Sequence, residues 1–314
     1  MLDIKCIYNG ICHLGEGPVW NVQMQRLFWT DIYSRRIWMY DPASGFSSVF
    51  REGALQVGGF AFTRGGGVVL CSDKGVYLLA GAADCLKNNI LQESDGLKHD
   101  DAVCAEPVLL FDVPMRRNEM FNDITVDPEG RIFAGTISRP DFFDGTLYRF
   151  EKGKEPAVVL KDLHCSNGMT FSLDEKTFFH TDSTFHRITK YDYDRETGNI
   201  TNPRPYFQGT PEMGTPDGMT MDSEGFIWAA FWGGSCVRRL DPRGRIAAEI
   251  LLPARQPSST MFGGEKLDEL YITTACENAD DIMTGYCNDG VFLGGPVYGC
   301  MPGVTGRPEW LADF

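Results

Sequence analysis

Four oxygen-bearing side chains, Glu16, Asn122, Asn167 and Asp217, are scattered along the chain but hold the same place in copies of one short motif. The six copies read Gly15-Glu16-Gly17-Pro18, Val57-Gly58-Gly59-Phe60, Phe121-Asn122-Asp123-Ile124, Ser166-Asn167-Gly168-Met169, Pro216-Asp217-Gly218-Met219 and Ser258-Ser259-Thr260-Met261. Brought to one point, two carboxylates and two amides offer only oxygen ligands. Unpaired carboxylates held together repel and raise each other's pKa unless a cation compensates. Hard divalent ions such as calcium, magnesium or manganese fit such a set, with water completing the shell, and zinc also accepts carboxylate oxygen. Taken singly, each residue is explained as a strand-entry cap bonding nearby backbone amides. Four in equivalent positions favour a metal site.

The elements that must gather them follow from the spacing. With Glu16, Gly58, Asn122, Asn167, Asp217 and Ser259 equivalent, the intervals are 42, 64, 45, 50 and 42 residues. Repeats of ~40–50 residues built from short strands mark propeller blades, which bury their faces by stacking on neighbours. Asp31, Asp73 and Asp182 recur at a fixed offset from Glu16, Gly58 and Asn167, closing second strands such as Leu27-Phe28-Trp29 and Phe178-Phe179-His180. Third strands follow at Ile37–Tyr40, Val76–Leu78, Leu147–Phe150, Ile188–Tyr191, Val237–Leu240 and Val291–Leu293, with Asp-Pro turns at 41–45, 127–130 and 241–244. Five repeats have room for an outer fourth strand. The sixth does not, so Ile4–Tyr8 is expected to complete it and close the ring, leaving no large unpaired edge. The expectation is one all-β domain over 1–314: a six-bladed propeller of four-stranded antiparallel sheets. Residues 82–107 form a surface insertion that is either a plain loop or part of a binding rim.

Composition removes several function classes. The chain of 314 residues has 29 basic and 43 acidic residues, net charge −14, which would repel a phosphate backbone. No apolar run approaches the ~20 residues that span a bilayer, and no signal-peptide pattern opens the sequence, so a cytoplasmic protein without nucleic-acid or membrane partners is expected. Ten dispersed cysteines, none in a C-x-x-C, are read as reduced thiols rather than a disulfide or zinc framework.

In a propeller, equivalent positions form a ring around the axis, and the loops between second and third strands surround it. Those loops carry Arg139, Phe142, Phe143, His186, Trp232 and Asp280-Asp281. His164, Cys165 and Ser166 precede Asn167, yet close neighbours in sequence rarely align for proton transfer and there is no G-x-S-x-G elbow. The Gly65-Gly66-Gly67 run lacks a following helix and Lys-Ser/Thr, so it reads as a hairpin turn.

These motifs, with Leu27–Ile32, Phe133-Ala134-Gly135-Thr136, Leu270–Ala275 and the closing Gly303-Val304-Thr305-Gly306-Arg307-Pro308, resemble the regucalcin (senescence marker protein)/gluconolactonase/luciferin-regenerating enzyme family from about residue 12 to 310. The resemblance implies a six-bladed propeller holding one divalent metal ion through Glu16, Asn167 and Asp217, with iron, zinc, manganese or magnesium as alternatives to calcium. It implies Asp217 as catalytic base, Asn122 beside the substrate, and hydrolysis of a sugar lactone or related cyclic ester. Two positions depart from it. Met120 stands where sugar-lactonase relatives often carry a substrate-binding Arg, and Arg139 follows Gly135-Thr136 where some relatives place an acidic contact. These changes favour a less polar lactone, or an acidic one met by Arg139. The rivals are a phosphotriester or other ester hydrolase on the same ion and a non-catalytic calcium-binding propeller. The oligomeric state is left open.

Overall fold

Strands form at nearly every place the repeat predicts, because each is a short β-branched or aromatic run bounded by residues that preset a turn. The structure, a computed structural model, describes residues 2–81, 106–116, 119–138 and 144–314. The first strand is β1 (Ile4–Tyr8). Blade one is β2 (Gly15–Asn21), β3 (Arg26–Asp31), β4 (Arg36–Asp41) and β5 (Phe46–Glu52); blade two is β6 (Val57–Phe62), β7 (Val68–Ser72), β8 (Gly75–Leu79) and β9 (Val108–Phe111). Blade three is β10 (Glu119–Val126), β11 (Ile132–Ser138), β12 (Gly145–Phe150) and β13 (Ala157–Leu163); blade four is β14 (Ser166–Phe171), β15 (Thr177–Asp182), β16 (Arg187–Asp194) and β17 (Asn199–Gln208). Blade five is β18 (Thr215–Met221), β19 (Ile227–Trp232), β20 (Cys236–Leu240) and β21 (Ile246–Leu251), and blade six adds β22 (Pro257–Gly263), β23 (Glu269–Thr274) and β24 (Val297–Cys300).

Each sheet is four-stranded and antiparallel, and blade six runs β1-β24-β23-β22, so the N-terminal strand supplies its outer edge. One strand differs from expectation. The third strand of blade six is Val297–Cys300, not Val291–Leu293. Gly294 and Gly295, at φ 148° and 113°, turn the chain after Leu293, and the Phe292 ring packs on Tyr286 at 4.9 Å inside a long loop instead. Expectations for 82–107, Arg139, Phe142 and Phe143 fall outside the described residues, apart from 106 and 107.

The blades hold together through apolar side chains at their shared faces. Phe28 and Phe50 of blade one pack with Phe60 and Phe62 of blade two, and Phe133 of blade three packs with Phe171 and Phe178 of blade four. The Asp-Pro turns are closed by their own carboxylates: Asp127 Oδ1 accepts the N–H groups of Glu129 and Arg131 at 3.0 and 2.9 Å, and Asp241 Oδ1 does the same for Arg243 and Arg245. Cys12, Cys71, Cys236, Cys276 and Cys300 are buried thiols in no disulfide. Among the described residues no helix is long and apolar enough to cross a membrane.

Candidate active site at the channel mouth

All six inner strands slip register at the same place: between Glu16 and Val19, Val57 and Gly59, Phe121 and Ile124, Asn167 and Met169, Pro216 and Met219, and Pro257 and Ser259. A bulge bends its strand and re-aims one side chain. Repeated six times about an axis, it gathers Glu16, Gly58, Asn122, Asn167, Asp217 and Ser259 into one ring. The glycines that follow keep the inner strands close. A Cβ at Gly168 would be driven into the Asp217 carbonyl oxygen, and one at Gly218 into the Ser259 side chain.

Hydrogen bonds join the ring members. Asn122 Nδ2 donates to Asn167 Oδ1 at 3.2 Å and to the Ser166 carbonyl at 3.0 Å. Asn167 Nδ2 donates to Ser183 Oγ at 3.1 Å, and Ser183 Oγ donates to the Pro216 carbonyl at 2.8 Å, one residue before Asp217. Glu16 Oε2 accepts the Gly17 N–H at 3.1 Å. These bonds fix both amides with their oxygens directed by the network and leave the carboxylates largely uncompensated. Asp217 Oδ1 is buried and accepts no hydrogen bond at all.

Electrostatics agree with the geometry. Glu16, Asn167 and Asp217 are 7, 6 and 5 % exposed. Burial pushes the Glu16 carboxyl up to about 8, with Asp123 and Glu277 adding repulsion. Asp217 is raised well above the usual carboxylate range by burial first, then by the charges of Glu16, Asp123 and Glu277. A buried carboxylate oxygen without a donor, beside a second carboxylate, is costly for a protein with nothing to place there. The Glu16–Asn167–Asp217 donor set fits a hard divalent cation, which would satisfy Asp217 Oδ1 and offset both charges. Among the described residues no three His, Cys, Asp or Glu side chains converge as an ion site.

The remaining sequence candidates separate. Met120 packs with Tyr33 and Trp232 against Leu14, Ile32 and Ala275 at the channel mouth. His186 Nδ1 lies 3.3 Å from Thr215 Oγ1. Asp280 and Asp281 serve their own loop, accepting from Asn288 N–H and from Met283 N–H and Thr284 Oγ1. Ser166 Oγ meets His180 Nε2 at 2.8 Å but both side chains are buried, while the His164 ring packs on Phe185, so the Ser166–His180 pair is not exposed to a substrate.

Three residues escaped the sequence reading. Ser183 links two ring strands. Asp123, raised to about 7 mainly by burial, faces an axial cavity of about 300 Å³ below the ring, with Met169, Met219 and Glu309 also lining it. Glu277 stands at the mouth and accepts the Tyr33 hydroxyl at 2.7 Å. Asp123 had a signal in its position directly after Asn122; Ser183 directly follows the recurrent Asp182.

The model of the SMP-30/Gluconolactonase/LRE-like region matches residues 14–276. The chain belongs to that family. It is 33% identical over 316 residues to pentonolactonase XacC of Haloferax volcanii, covering 99% of each chain. It is 34% identical to 6-deoxy-6-sulfogluconolactonase of Pseudomonas putida over 88% of each, and 31% identical to regucalcin of Danio rerio over 87% of each. Among solved structures, a luciferin-regenerating enzyme superposes with TM-score 0.86 at 25% identity, each chain fully covered. A calcium-binding regucalcin from Agrobacterium tumefaciens superposes with TM-score 0.85 at 24% identity, covering all of this chain and 98% of the other, a likeness of fold.

Proposed function

We propose that this family member is a metal-dependent lactonase whose reaction takes place at the ring formed by Glu16, Asn122, Asn167 and Asp217. The observation that carries the reading is the buried, partnerless Oδ1 of Asp217 beside Glu16 and two tethered amides. The family relatives named as pentonolactonase and sulfogluconolactonase support the reaction class.

Glu16, Asn167 and Asp217 would hold the divalent ion, with calcium preferred on the all-oxygen donor set and zinc, manganese, magnesium or iron as the alternatives to be compared. Bound there, the ion supplies polarisation of the lactone carbonyl and compensation for the negative charge that grows on its oxygen. Asn122 positions the substrate beside Asn167. Asp217 orients the attacking water and receives its proton as the water oxygen bonds to the carbonyl carbon. The ring C–O bond then breaks, and the departing alkoxide takes that proton from Asp217 to give the hydroxy acid and restore the carboxylate. Gly58 and Ser259, on either side of Glu16, bring little side chain to the ring, which leaves room for the carbonyl to approach.

The test is pH-stat titration of a lactone panel with stripped protein reloaded with each of the five ions. Ion-dependent acid release that disappears in Asp217→Ala supports the reading. Binding of the ion without turnover of any lactone, or turnover only of a phosphotriester or acyclic ester, would reject it.

A further inference from the structure

The residues two positions before the ring define what the ring can recognise. Each of these residues stands at the entry to its inner strand, ahead of the bulge at the ring position. These positions are Leu14, Gln56, Met120, Cys165, Thr215 and Pro257. They make a second ring over the first, and it carries no charge. Its Thr215 hydroxyl already pairs with His186.

Leu14 and Met120 come from blades one and three, yet both join one apolar group. That group also holds Ile32 and Tyr33 of blade one, Trp232 of blade five and Ala275 of blade six. Apolar side chains from four blades therefore meet around the mouth. The Tyr33 hydroxyl, the polar tip within that group, is spent on Glu277. A sugar lactone with a hydroxyl on every ring carbon would press some of them against Met120 and Trp232, whose apolar surfaces cannot bond to them. Burying a hydroxyl without a partner is unfavourable, and an apolar pocket discriminates against an added hydroxyl by up to about 100-fold.

We propose that the site takes sparsely hydroxylated lactones, seated with a hydrocarbon edge against Leu14, Met120, Tyr33 and Trp232 and with the carbonyl facing Asp217 and Asn122. This rests on the reading of the ring as a lactone-opening centre. The ester group meets the polar lower ring, and the ring carbons meet the apolar upper one, so a single orientation satisfies both layers. Met120 is the specificity-determining residue because it brings an unbranched apolar chain across from blade three, two residues before Asn122.

The experiment pairs turnover with binding in the calcium-loaded protein. Turnover compares kcat/KM for δ-valerolactone and D-glucono-δ-lactone. Binding compares their non-hydrolysable lactams, δ-valerolactam and D-gluconolactam, by calorimetry. We expect the unsubstituted member of each pair to be favoured by at least about tenfold, the step that one unpaired hydroxyl produces. Met120→Gln should move both ratios at least about tenfold toward the hydroxylated member, whereas Met120→Leu should hold them; ratios are internal to each variant and do not depend on its folded fraction. Equal or reversed preference for the gluconic compounds, in turnover or in binding, overturns the proposal. If no lactone is opened but δ-valerolactam still binds more tightly than D-gluconolactam, the ligand class stands and the hydrolase reading falls.

Discussion

The carboxylate of Asp31, at the end of β3, accepts the backbone N–H of Leu14 at 3.0 Å and that of His13 at 3.3 Å. The same clasp recurs where Asp73 accepts from Gln56 at 2.9 Å and Asp182 from Cys165 at 3.4 Å. In each case the second strand of a blade grips the residue two before the ring position. The recurrent aspartates therefore set the height and angle at which the inner strand enters the channel.

Asp31 is 2 % exposed, so its removal leaves two backbone donors without their acceptor in a dry setting. Asp31→Ala is expected to lower stability by about 2–4 kcal/mol, the sum of two lost bonds to a charged acceptor. Asp31→Asn, which keeps one carbonyl acceptor, should cost roughly half. Urea unfolding monitored by tryptophan emission measures both; a loss below about 0.5 kcal/mol for the alanine variant would show that the clasp does not hold the blade.

The ring variants separate chemistry from folding. Asp217→Ala and Asn167→Ala should retain the far-ultraviolet spectrum of the propeller and lose lactone turnover by several powers of ten, as expected when an electrostatic element of the site is removed. Asn122→Ala should do less to ion affinity than to KM and kcat, because in the proposed reaction Asn122 is not an ion ligand: its amide donates to Asn167 and would position the substrate. Calorimetric titration with calcium against each stripped variant distinguishes the two roles; unchanged affinity in Asp217→Ala would remove it from the ligand set.

Much of this architecture was readable in the chain because it is written six times. A single Asn-Gly or Asp-Gly pair says only that a turn or bulge is present, whereas equivalent pairs at Asn167-Gly168 and Asp217-Gly218 imply an axis on which both converge. Blade six was misread for the converse reason. Its loop 275–296 has no counterpart in the other repeats, and Val291-Phe292-Leu293 carries strand-forming residues that fold against Tyr286 instead of a ladder. Glu277 and Tyr33 lie in loops whose lengths vary between blades, so periodicity gives no reason to pair residues 244 positions apart. The function of Ser183 depends on reaching the Pro216 carbonyl of the next blade, a relation between repeats rather than within one.

The raised carboxyls give the metal-stripped protein a definite pH dependence. Glu16 titrates near 8 when folded against 4.5 in its ordinary state, and Asp217 is shifted in the same direction. Between those values the folded chain holds more protons than the unfolded one, so stability is lost as pH rises from about 4.5 toward 8. Saturating calcium should cancel that fall, since the ion binds the ionised carboxylates and stabilises the folded state by mass action. Thermal melts of stripped and calcium-loaded protein at pH 5, 6, 7 and 8 report it. Parallel melting curves for the two forms across this range would rule out Glu16 and Asp217 as the ion's ligands.

His180 imposes the opposite slope. Its ring is 2 % exposed and meets Ser166 Oγ at 2.8 Å, and burial, followed by the Arg187 charge, pushes its pKa down to about 3 from the usual 6.5. The folded state therefore keeps the imidazole neutral where the unfolded chain would charge it. The stability this contributes is complete above pH 6.5 and is lost as pH falls toward 3, at up to about 1.4 kcal/mol per pH unit for one proton. His180→Gln preserves a polar partner for Ser166 and cannot take up the proton, so its acid limb should be flatter although the variant starts less stable at pH 7. Unfolding free energies from urea titrations at pH 4, 5, 6 and 7 give the difference between the two proteins. A gap that narrows as the pH falls identifies His180 as the acid-sensitive link between β14 and β15; a constant gap would mean that the imidazole's neutrality contributes nothing and that the variant lost only packing.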